Sequence, residues 1–337
     1  MRPSTAMVLA AGLGTRMSPL TALRPKPTLP VLNRPLISHV LRHLASHGVR
    51  RVVINSHHLP EILEDVVMGS APPDMRIEFS REATILGTAG GLKRAARHFQ
   101  DGPFYLVNSD SLSDADLSAA AAAHHAAGRT ATMIVTRHDP SKEYRPVLVA
   151  ADPGPTARVA GIAGRTWRDE PASPATFTGV HILEPRVLES IPERIVCDIN
   201  SDVYPMLLDR DDASVGAWRH EGWWSEAGGP RRYLELNLEV LARSGRGAML
   251  GPRFAIDAQA VVERSVMGKQ ARLEAGASIE ESVAWDGVTL RAGVSVRRCI
   301  LTDNVDLGPS GSWSDSIIMA GGDGQPIVHR FDGAVGA

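Results

Sequence analysis

The chain of 337 residues is long enough for two domains, and its 43% apolar and 22% charged residues are typical of a globular protein with a packed core. A net charge of -2, with no long run of lysine or arginine, excludes nucleic-acid or membrane-surface binding that depends on positive charge. The N-terminal apolar run 6–11 is too short for a signal peptide, and no run approaches the roughly 18 apolar residues of a membrane span, so we expect a cytoplasmic protein.

Short aliphatic runs alternate with helical periodicity over the first two thirds of the chain. The predicted strands are 7–11, 51–55, 104–107 and 130–136, and the predicted helices are 35–47, 116–127 and 230–243. This alternation predicts an α/β domain with a mainly parallel sheet covered on both faces. Ligands in such folds bind at the carboxyl ends of strands, where a glycine loop after residue 11 and Asp110 are found.

The last third of the chain is an internal repeat with a period of 17 residues. Small residues recur at this spacing, each followed by valine or isoleucine: Ser265, Ser282, Cys299 and Ser316. Two further columns keep the same phase, one of them Val262, Ile279, Val296 and Trp313. One coil of a parallel β-helix has about this length, so we predict a β-helix over 252–325 behind a catalytic domain over 1–243. An antiparallel meander is the alternative interpretation.

A glycine loop follows the first predicted strand and carries the strongest chemical signal. Gly12 and Gly14 let backbone amides approach phosphates closely, and Arg16 adds a forked cation. The loop lacks the third glycine of a dinucleotide fingerprint and the Gly-Lys-Ser/Thr ending of a P-loop. Lys26 follows between two prolines, which hold it as a fixed point charge. Taken alone, each feature is also typical of an ordinary loop.

These two blocks together resemble the signature of the sugar-1-phosphate nucleotidyltransferases. They are most similar to the branch that contains the mannose-1-phosphate guanylyltransferases, and the resemblance runs over about 7–318. It implies a Rossmann-like catalytic domain of the nucleotide-diphospho-sugar transferase type, followed by a left-handed parallel β-helix. It also implies Mg²⁺ as cofactor, a nucleoside triphosphate and a sugar-1-phosphate as substrates, and possible homo-oligomerisation through the β-helix.

The resemblance assigns the nucleotide side of the site residue by residue. Arg16 and Lys26 become the catalytic cations that neutralise the triphosphate and the departing pyrophosphate. Gly87 and Gly90 lie in a Leu-Gly-Thr-Ala-Gly stretch that borders the base and precedes a helix over 92–99, although this stretch alone is equally typical of a helix start. The nucleotide-binding set is Leu9, Ala10, Ala11, Gly12, Gly14, Thr15, Gly87, Thr88, Gly90 and Asn108.

Two carboxylates become the metal ligands under the resemblance. Asp110 keeps the family's aspartate, while Ser109 replaces the glycine that usually precedes it. Glu226 lies where the family has the aspartate of Trp-x-Asp-x-Gly-Thr-Pro. Magnesium accepts either acid, but the site must absorb one extra methylene group.

The sugar-phosphate side departs further from the family. The family's Glu-Lys-Pro lysine is missing, and Arg165 or Arg168 would have to supply its charge. The predicted sugar-phosphate set is Tyr144, Arg165, Thr178 and Gly179.

The remaining reactive side chains lack a catalytic pattern. Cys197 and Cys299 are far apart and have no metal-ligand spacing, so we expect two buried thiols. No pair of the twelve histidines has ligand spacing with a suitable third residue. The resemblance implies transfer of a nucleotidyl group, with GTP and mannose-1-phosphate as the first choice of substrates. Uridylyl or thymidylyl transfer to another sugar-1-phosphate is the alternative, and a non-catalytic nucleotide-sugar sensor is the alternative of another class.

Overall fold

The structure is a computed structural model that describes residues 2–152, 154–167, 170–193, 196–211, 213–322 and 324–331. The strands of the first 226 residues are β1 Thr5–Leu9, β2 Pro30–Val31, β3 Arg34–Pro35, β4 Arg51–Ser56, β5 Arg76–Arg81, β6 Phe104–Asn108, β7 Ser111–Ser113, β8 Ala131–Arg137, β9 Val147–Ala150, β10 Ala157–Ile162, β11 Arg165–Thr166, β12 Ala172–Leu183, β13 Val215–Arg219 and β14 Trp224–Glu226. The α-helices are α1 Leu20–Leu23, α2 Leu36–Ser46, α3 Pro60–Ser70, α4 Gly87–Arg94, α5 Leu117–Ala127, α6 Tyr204–Arg210 and α7 Pro230–Arg243. Shorter 3-10 or π-helical turns lie at Thr15–Met17, Lys26–Thr28, Ala96–His98, Pro185–Ser190 and Ile199–Val203.

By contacts the chain divides into two units, the first comprising residues 1–13 and 37–225 and the second residues 14–36 and 226–337. The predicted boundary after residue 243 lies between the strand–helix alternation and the 17-residue repeat. The two units do not divide at one point, because each of them is formed by two separate segments of the chain. Residues 14–36 and α7 belong with the C-terminal strands.

The first unit is built on a ten-stranded mixed sheet, with strand order β11-β10-β13-β8-β12-β6-β1-β4-β5 and β9 paired with β10 and β12. The predicted parallel pairing is found in β6-β1-β4-β5 and between β8 and β13, whereas β9 to β12 form antiparallel pairs, so the sheet as a whole is not mainly parallel. β1 pairs in parallel with both β4 and β6, so the chain first builds outwards on one side of β1 and then crosses to the other. The carboxyl ends of β1 and β6 are therefore a topological switch point, where ligands bind in open α/β sheets. The interior is mainly aliphatic, with Met7, Val53, Leu106 and Met133 among its fully buried members.

The predicted elements are confirmed with small shifts, and one helix start is wrong. β1 ends at Leu9, two residues before the predicted end, and Asp116 caps α5 by accepting from the amides of Ser118 and Ala119. The helix predicted from residue 92 begins at Gly87 instead, because the carbonyl of Cys197 accepts the amides of Ala89 (3.1 Å) and Gly90 (3.2 Å) at its first turn. No helix among the described residues is both long and apolar enough to cross a membrane.

The second unit contains a parallel β-helix with the predicted 17-residue period. Its strands are β15 Ala248–Leu250, β16 Ala255–Ile256, β17 Val261–Glu263, β18 Ser265–Met267, β19 Arg272–Leu273, β20 Ser278–Glu280, β21 Val283–Ala284, β22 Thr289–Leu290, β23 Val294–Arg297, β24 Ile300–Leu301, β25 Asp306–Leu307, β26 Gly311–Ser314, β27 Ser316–Ala320 and β28 Pro326–Arg330. They form three sheets, β15-β18-β21-β24-β27-β28, β16-β19-β22-β25 and β17-β20-β23-β26. Val266 pairs with Val283 and Val283 with Ile300, so each coil advances the register by one repeat. The meander alternative is excluded for β15–β27, since these pairs are parallel.

The corners of the β-helix repeat with the same period. Residues with positive φ recur at equivalent corners, one set being Arg253, Gln270, Gly287 and Asn304 and another Arg264, Glu281, Arg298 and Asp315. Left-handed backbone at a non-glycine residue is uncommon. Its recurrence indicates that the stacked neighbouring coils, rather than local preference, fix these corners.

Candidate functional site

A chain of buried hydrogen bonds anchors the start of the glycine loop at the switch point of the first unit. The amide of Ala10 donates to Asn55 Oδ1 (2.7 Å), and Asn55 Nδ2 donates to Glu82 Oε1 (2.8 Å). The other carboxylate oxygen, Oε2, accepts the amide of Leu86 (3.1 Å). Asn55 and Glu82 thus tie the first residue of the glycine loop to the Leu-Gly-Thr-Ala-Gly stretch.

Sequence reasoning missed Asn55 and Glu82, which are 3% and 5% exposed. Asn55 carried a signal, because it is a polar residue that directly follows the aliphatic run 52–54 in the strand beside β1. Beyond this anchor there is free space beside the loop, because a Cβ atom added at Gly12 would meet nothing within 4 Å.

The stretch at Gly87–Gly90 is packed against the segment that starts at Cys197. Gly87 has φ +75°, and a Cβ atom there would lie 2.4 Å from the Cys197 carbonyl oxygen. Thr88 Oγ1 donates to Asp198 Oδ2 (2.9 Å) and accepts the amide of Ile199 (2.8 Å). The described contacts give these residues a packing role, and their part in binding the base stays a prediction.

Asp110 lies in the tight turn between β6 and β7. The turn is tied to β1, since Ser109 Oγ donates to the Leu9 carbonyl (2.6 Å) and the Ser109 amide does so at 3.3 Å. Leu9 pairs with Asn108 in the sheet, so the start of the glycine loop and Asp110 lie at adjoining strand ends. Ser109 replaces the family's glycine with a side chain that anchors the turn.

The predicted cations Arg16 and Lys26 belong to the second unit. Arg16 is exposed on the turn Thr15–Met17, whose Met17 is fully buried. Lys26 starts the turn Lys26–Thr28, which Thr28 closes by donating to the Pro25 carbonyl through both its amide (2.9 Å) and its hydroxyl (2.8 Å). The rigid backbone predicted around Lys26 is therefore present.

Gly14 joins the two cation-bearing turns. It has φ +63°, and a Cβ atom there would lie 2.9 Å from Thr21 Cγ2 and 3.3 Å from Lys26 Cβ. Thr21 Oγ1 also donates to the Gly14 carbonyl (3.1 Å). Glycine is required at this position for both its conformation and its close packing.

Glu226, the last residue of β14, belongs to the second unit, and its carboxylate lies beside Gly228. A Cβ atom at Gly228 would lie 2.7 Å from Glu226 Oε1. The missing side chain at Gly228 accommodates the longer acid. Among the described residues, no group of three or more His, Cys, Asp or Glu side chains has a metal-binding arrangement.

The predicted sugar side begins beside Asn108 in the first unit. Gly179 has φ +90°, and a Cβ atom there would lie 2.7 Å from Ser111 Oγ and 3.1 Å from Asn108 Cβ. The Thr178 carbonyl accepts Ser111 Oγ (2.9 Å) and Trp224 Nε1 (2.8 Å). Tyr144 meets the ring of Trp224 edge-on with centroids 5.5 Å apart, so aromatic contacts hold Tyr144 near Thr178.

Arg165 lies apart from that group. Its guanidinium donates to Asp209 Oδ1 (3.0 Å) and lies 4.9 Å from the ring centroid of Trp167. Together with Arg145 it lines a cavity of about 300 Å³ whose described lining residues do not include Thr178 or Gly179. Arg168 lies outside the described residues. Sequence reasoning missed Arg145, which directly follows Tyr144.

The two cysteines are free and buried, as predicted. Burial raises the pKa of the Cys299 thiol to about 11, which keeps it protonated and unreactive. Neither thiol is a candidate nucleophile.

Comparison with known proteins gives two family matches, the family described as Nucleotidyl transferase over residues 5–243 and "GlmU-like, C-terminal hexapeptide" over residues 248–312. The second match agrees with the predicted left-handed β-helix. A probable mannose-1-phosphate guanylyltransferase 2 of Arabidopsis thaliana is 30% identical over 77% of this chain and 79% of its own. A UTP–glucose-1-phosphate uridylyltransferase of Synechocystis is 33% identical over 60% of this chain and 55% of its own. The crystal structure of HddC from Yersinia pseudotuberculosis superposes with a TM-score of 0.57 at 18% identity, covering 70% of this chain and 99% of that one, and so supports the fold.

Proposed function

This chain belongs to the nucleotidyl transferase family of sugar-1-phosphate nucleotidyltransferases, and on that premise we propose that it converts GTP and mannose-1-phosphate into GDP-mannose and pyrophosphate. The observation that carries the proposal is the meeting of the glycine loop and Asp110 at the adjoining ends of β1 and β6. Guanine and mannose are supported by the name of the Arabidopsis relative, which matches over three quarters of both chains.

The reaction is an in-line displacement at the α-phosphorus of GTP. An oxygen of mannose-1-phosphate forms the new P–O bond as the bond to pyrophosphate breaks. The attacking oxygen is already anionic at neutral pH, so the chain needs no general base. Its residues orient the two substrates and neutralise their charge, which supplies most of the catalysis of phosphoryl-type transfers.

The roles follow the family signature. Backbone amides of Leu9–Thr15 receive the phosphates, and Arg16 and Lys26 neutralise the triphosphate and the leaving pyrophosphate. The base lies along Gly87–Gly90 and Asn108. Thr178 and Gly179, with Tyr144, take the sugar phosphate. Arg165, which is bound to Asp209 apart from them, would join only by exchanging that carboxylate for the phosphate.

The family uses a divalent cation, and Mg²⁺ is the ion that we assign. Asp110 and Glu226 provide hard oxygen donors, and Mg²⁺ typically binds one or two carboxylates together with substrate phosphates and water. The position of the Glu226 carboxylate beside Gly228, where a side chain would collide with it, supports the assignment of the longer acid. When bound, the ion stabilises the charge that develops on the phosphate oxygens.

The test is pyrophosphate release measured with each of the four nucleoside triphosphates against mannose-1-phosphate and glucose-1-phosphate. The proposal predicts the highest kcat/KM for GTP with mannose-1-phosphate. The 33% identity to the Synechocystis enzyme makes UTP with glucose-1-phosphate the second candidate pair. Release with that pair alone would overturn the choice of substrates, and no release with any pair would favour a nucleotide-sugar sensor.

Substitutions test the residue roles. Arg16→Ala and Asp110→Ala should each lower kcat/KM by about a hundredfold or more, since each removes charge stabilisation of the transition state. Asp257→Ala is the control, because this exposed aspartate caps a β-helix corner by accepting the amide of Gln259. Wild-type activity in the first two variants would remove them from the site.

Two further expectations belong to the same proposal. Copies of the chain associate through the β-helix, since hexapeptide repeats are compatible with oligomer formation. The protein works in the cytoplasm, where nucleoside triphosphates are available.

A further inference from the structure

The segment 14–36, called here the Lys26 segment, is held by the β-helix unit. It carries Arg16 and Lys26 and groups by its contacts with residues 226–337. Side chains of the β-helix and of α7 anchor the Lys26 segment at two places, one on each side of Lys26.

The first anchor is Arg24, two residues before Lys26. Its Nη2 donates to Asp303 Oδ2 in a short charge-assisted contact, and its guanidinium lies 4.7 Å from the ring centroid of Trp285. The second oxygen of Asp303 accepts the amide of Asp286 (3.2 Å), so this carboxylate is fixed to its own coil. Both side chains of the ion pair are more than two-thirds buried, which strengthens it relative to an exposed pair.

Trp285 breaks the pattern of its repeat. The equivalent positions in neighbouring coils are Gly268 and Thr302, and Trp285 lies outside the apolar cluster that fills the β-helix. It is nevertheless only 1% exposed. Its ring is stacked by Arg24, and its Nε1 donates to Tyr233 Oη (3.1 Å). The tryptophan therefore serves the contact with the Lys26 segment and α7 rather than the core of the coil.

The second anchor is the hairpin β2–β3, which follows Lys26. The hydroxyl of Tyr233 donates to the Pro30 carbonyl (2.5 Å), and Asn237 Oδ1 accepts the amide of Leu32 (3.1 Å). At the turn, Asn33 Nδ2 donates to the Met267 carbonyl in the β-helix (2.8 Å). Since Tyr233 also accepts from Trp285, the two anchors are linked.

We propose that Asp303 and Trp285 of the β-helix are positioning residues for nucleotidyl transfer, acting through Arg24 on Lys26. This inference rests on the proposed function, in which Lys26 neutralises the phosphates. Only Pro25 separates Arg24 from Lys26, and proline transmits a backbone displacement because its φ is fixed. The β-helix thus takes part in the reaction by fixing a cation, in addition to any role in association.

Asp303→Asn tests this proposal, with Asp306→Asn as the matched control. Asp306 lies three residues further on and pairs with Arg291 (2.7 Å) within the β-helix. For Asp303→Asn we expect about a tenfold loss in kcat/KM for the nucleoside triphosphate, because misplacing a catalytic group by about 1 Å costs up to a hundredfold. The KM for the sugar-1-phosphate should stay within about twofold of wild type, and Asp306→Asn should match wild type in both values.

A double variant separates positioning from general destabilisation. If Asp303 acts through Arg24, adding Asp303→Asn to Arg24→Gln causes no further loss in kcat/KM. Additive losses, or an Asp303→Asn enzyme that behaves like Asp306→Asn, would overturn the proposal.

Amide hydrogen exchange provides a readout without activity. Residues 14–36 should exchange faster in Asp303→Asn than in Asp306→Asn, because their anchor is weakened. A wild-type chain that releases no pyrophosphate would refute the proposed function, while this exchange comparison would still decide whether the anchor exists. Equal exchange in the two variants would show that it does not.

Discussion

Gly87→Ala is the substitution with the clearest expected cost in the proposed nucleotide site. Its φ of +75° lies in the left-handed region, which costs an L-residue about 1–2 kcal/mol. The added Cβ atom would also lie 2.4 Å from the carbonyl oxygen of Cys197, so one of the two backbones must move. That movement strains the hydrogen bonds from the amides of Ala89 and Gly90, each worth about 1 kcal/mol.

The free energy of unfolding of the first unit should therefore fall by about 3–4 kcal/mol. Gly128→Ala is the matched control, because Gly128 has φ +63° and a Cβ atom there would meet nothing within 4 Å. It should lose only the conformational part, so the two variants should differ by about 2 kcal/mol. In domains of this size that difference corresponds to roughly 4–8 °C in Tm.

Thermal unfolding of both variants measures the stability difference, and kinetics with varied GTP measure its functional consequence. The KM for GTP should rise in Gly87→Ala only, since Gly128 ends α5 and is not one of the residues of the proposed base site. Equal Tm values in the two variants would refute the argument that contact with Cys197 selects glycine here.

Three further predictions concern buried or tightly packed polar groups. Asn55→Ala removes the acceptor of the Ala10 amide at the start of the glycine loop. In steady-state assays the KM for the triphosphate should rise about tenfold, while the KM for the sugar phosphate stays unchanged. An equal effect on both KM values would contradict this prediction. Gly228→Ala should displace the Glu226 carboxylate and so raise the Mg²⁺ concentration needed for half-maximal activity. Gly229→Ala is the control and should leave that concentration unchanged, because a Cβ atom at Gly229 would lie 3.6 Å from its nearest neighbour. Coincident Mg²⁺ titrations of the two variants would contradict this prediction. Burial lowers the pKa of His181 from 6.5 to about 3, so the unfolded chain takes up the proton first as the pH falls below 6.5. The stability contributed by neutral His181 is complete above pH 6.5 and is progressively lost towards pH 3, by about 2 kcal/mol at pH 5. Denaturant unfolding at pH 7 and pH 5 should show this loss in wild type and less of it in His181→Gln, and parallel curves would exclude His181 as its source.

The features that could be predicted from the sequence are those set by neighbours along the chain. The β-helix period could be predicted from the sequence because each coil pairs with the next at a fixed offset, as Val266 does with Val283. The strand–helix alternation could be predicted because the spacing of apolar residues indicates which side of each element is buried. The rigid turn at Lys26 follows from its two flanking prolines.

The features that could not be predicted depend on residues far away in the sequence. α4 starts at Gly87 because a carbonyl at Cys197 accepts its first amides, more than a hundred residues later. The Lys26 segment groups with the β-helix because Arg24 meets Asp303. A single sequence shows neither partner of these contacts. The one visible trace is Trp285, which interrupts the 17-residue repeat where Arg24 contacts it.

The metal-side departures from the family pattern do not weigh against catalysis, because the chain accommodates each of them locally. Ser109, which replaces a glycine, uses its hydroxyl to fasten the Asp110 turn to β1. Glu226, which replaces an aspartate, has its carboxylate beside Gly228. The interpretation as a non-catalytic sensor therefore rests on the acceptor side alone. There Arg165 is bound to Asp209, so a sugar phosphate that uses this arginine must replace a carboxylate already in place.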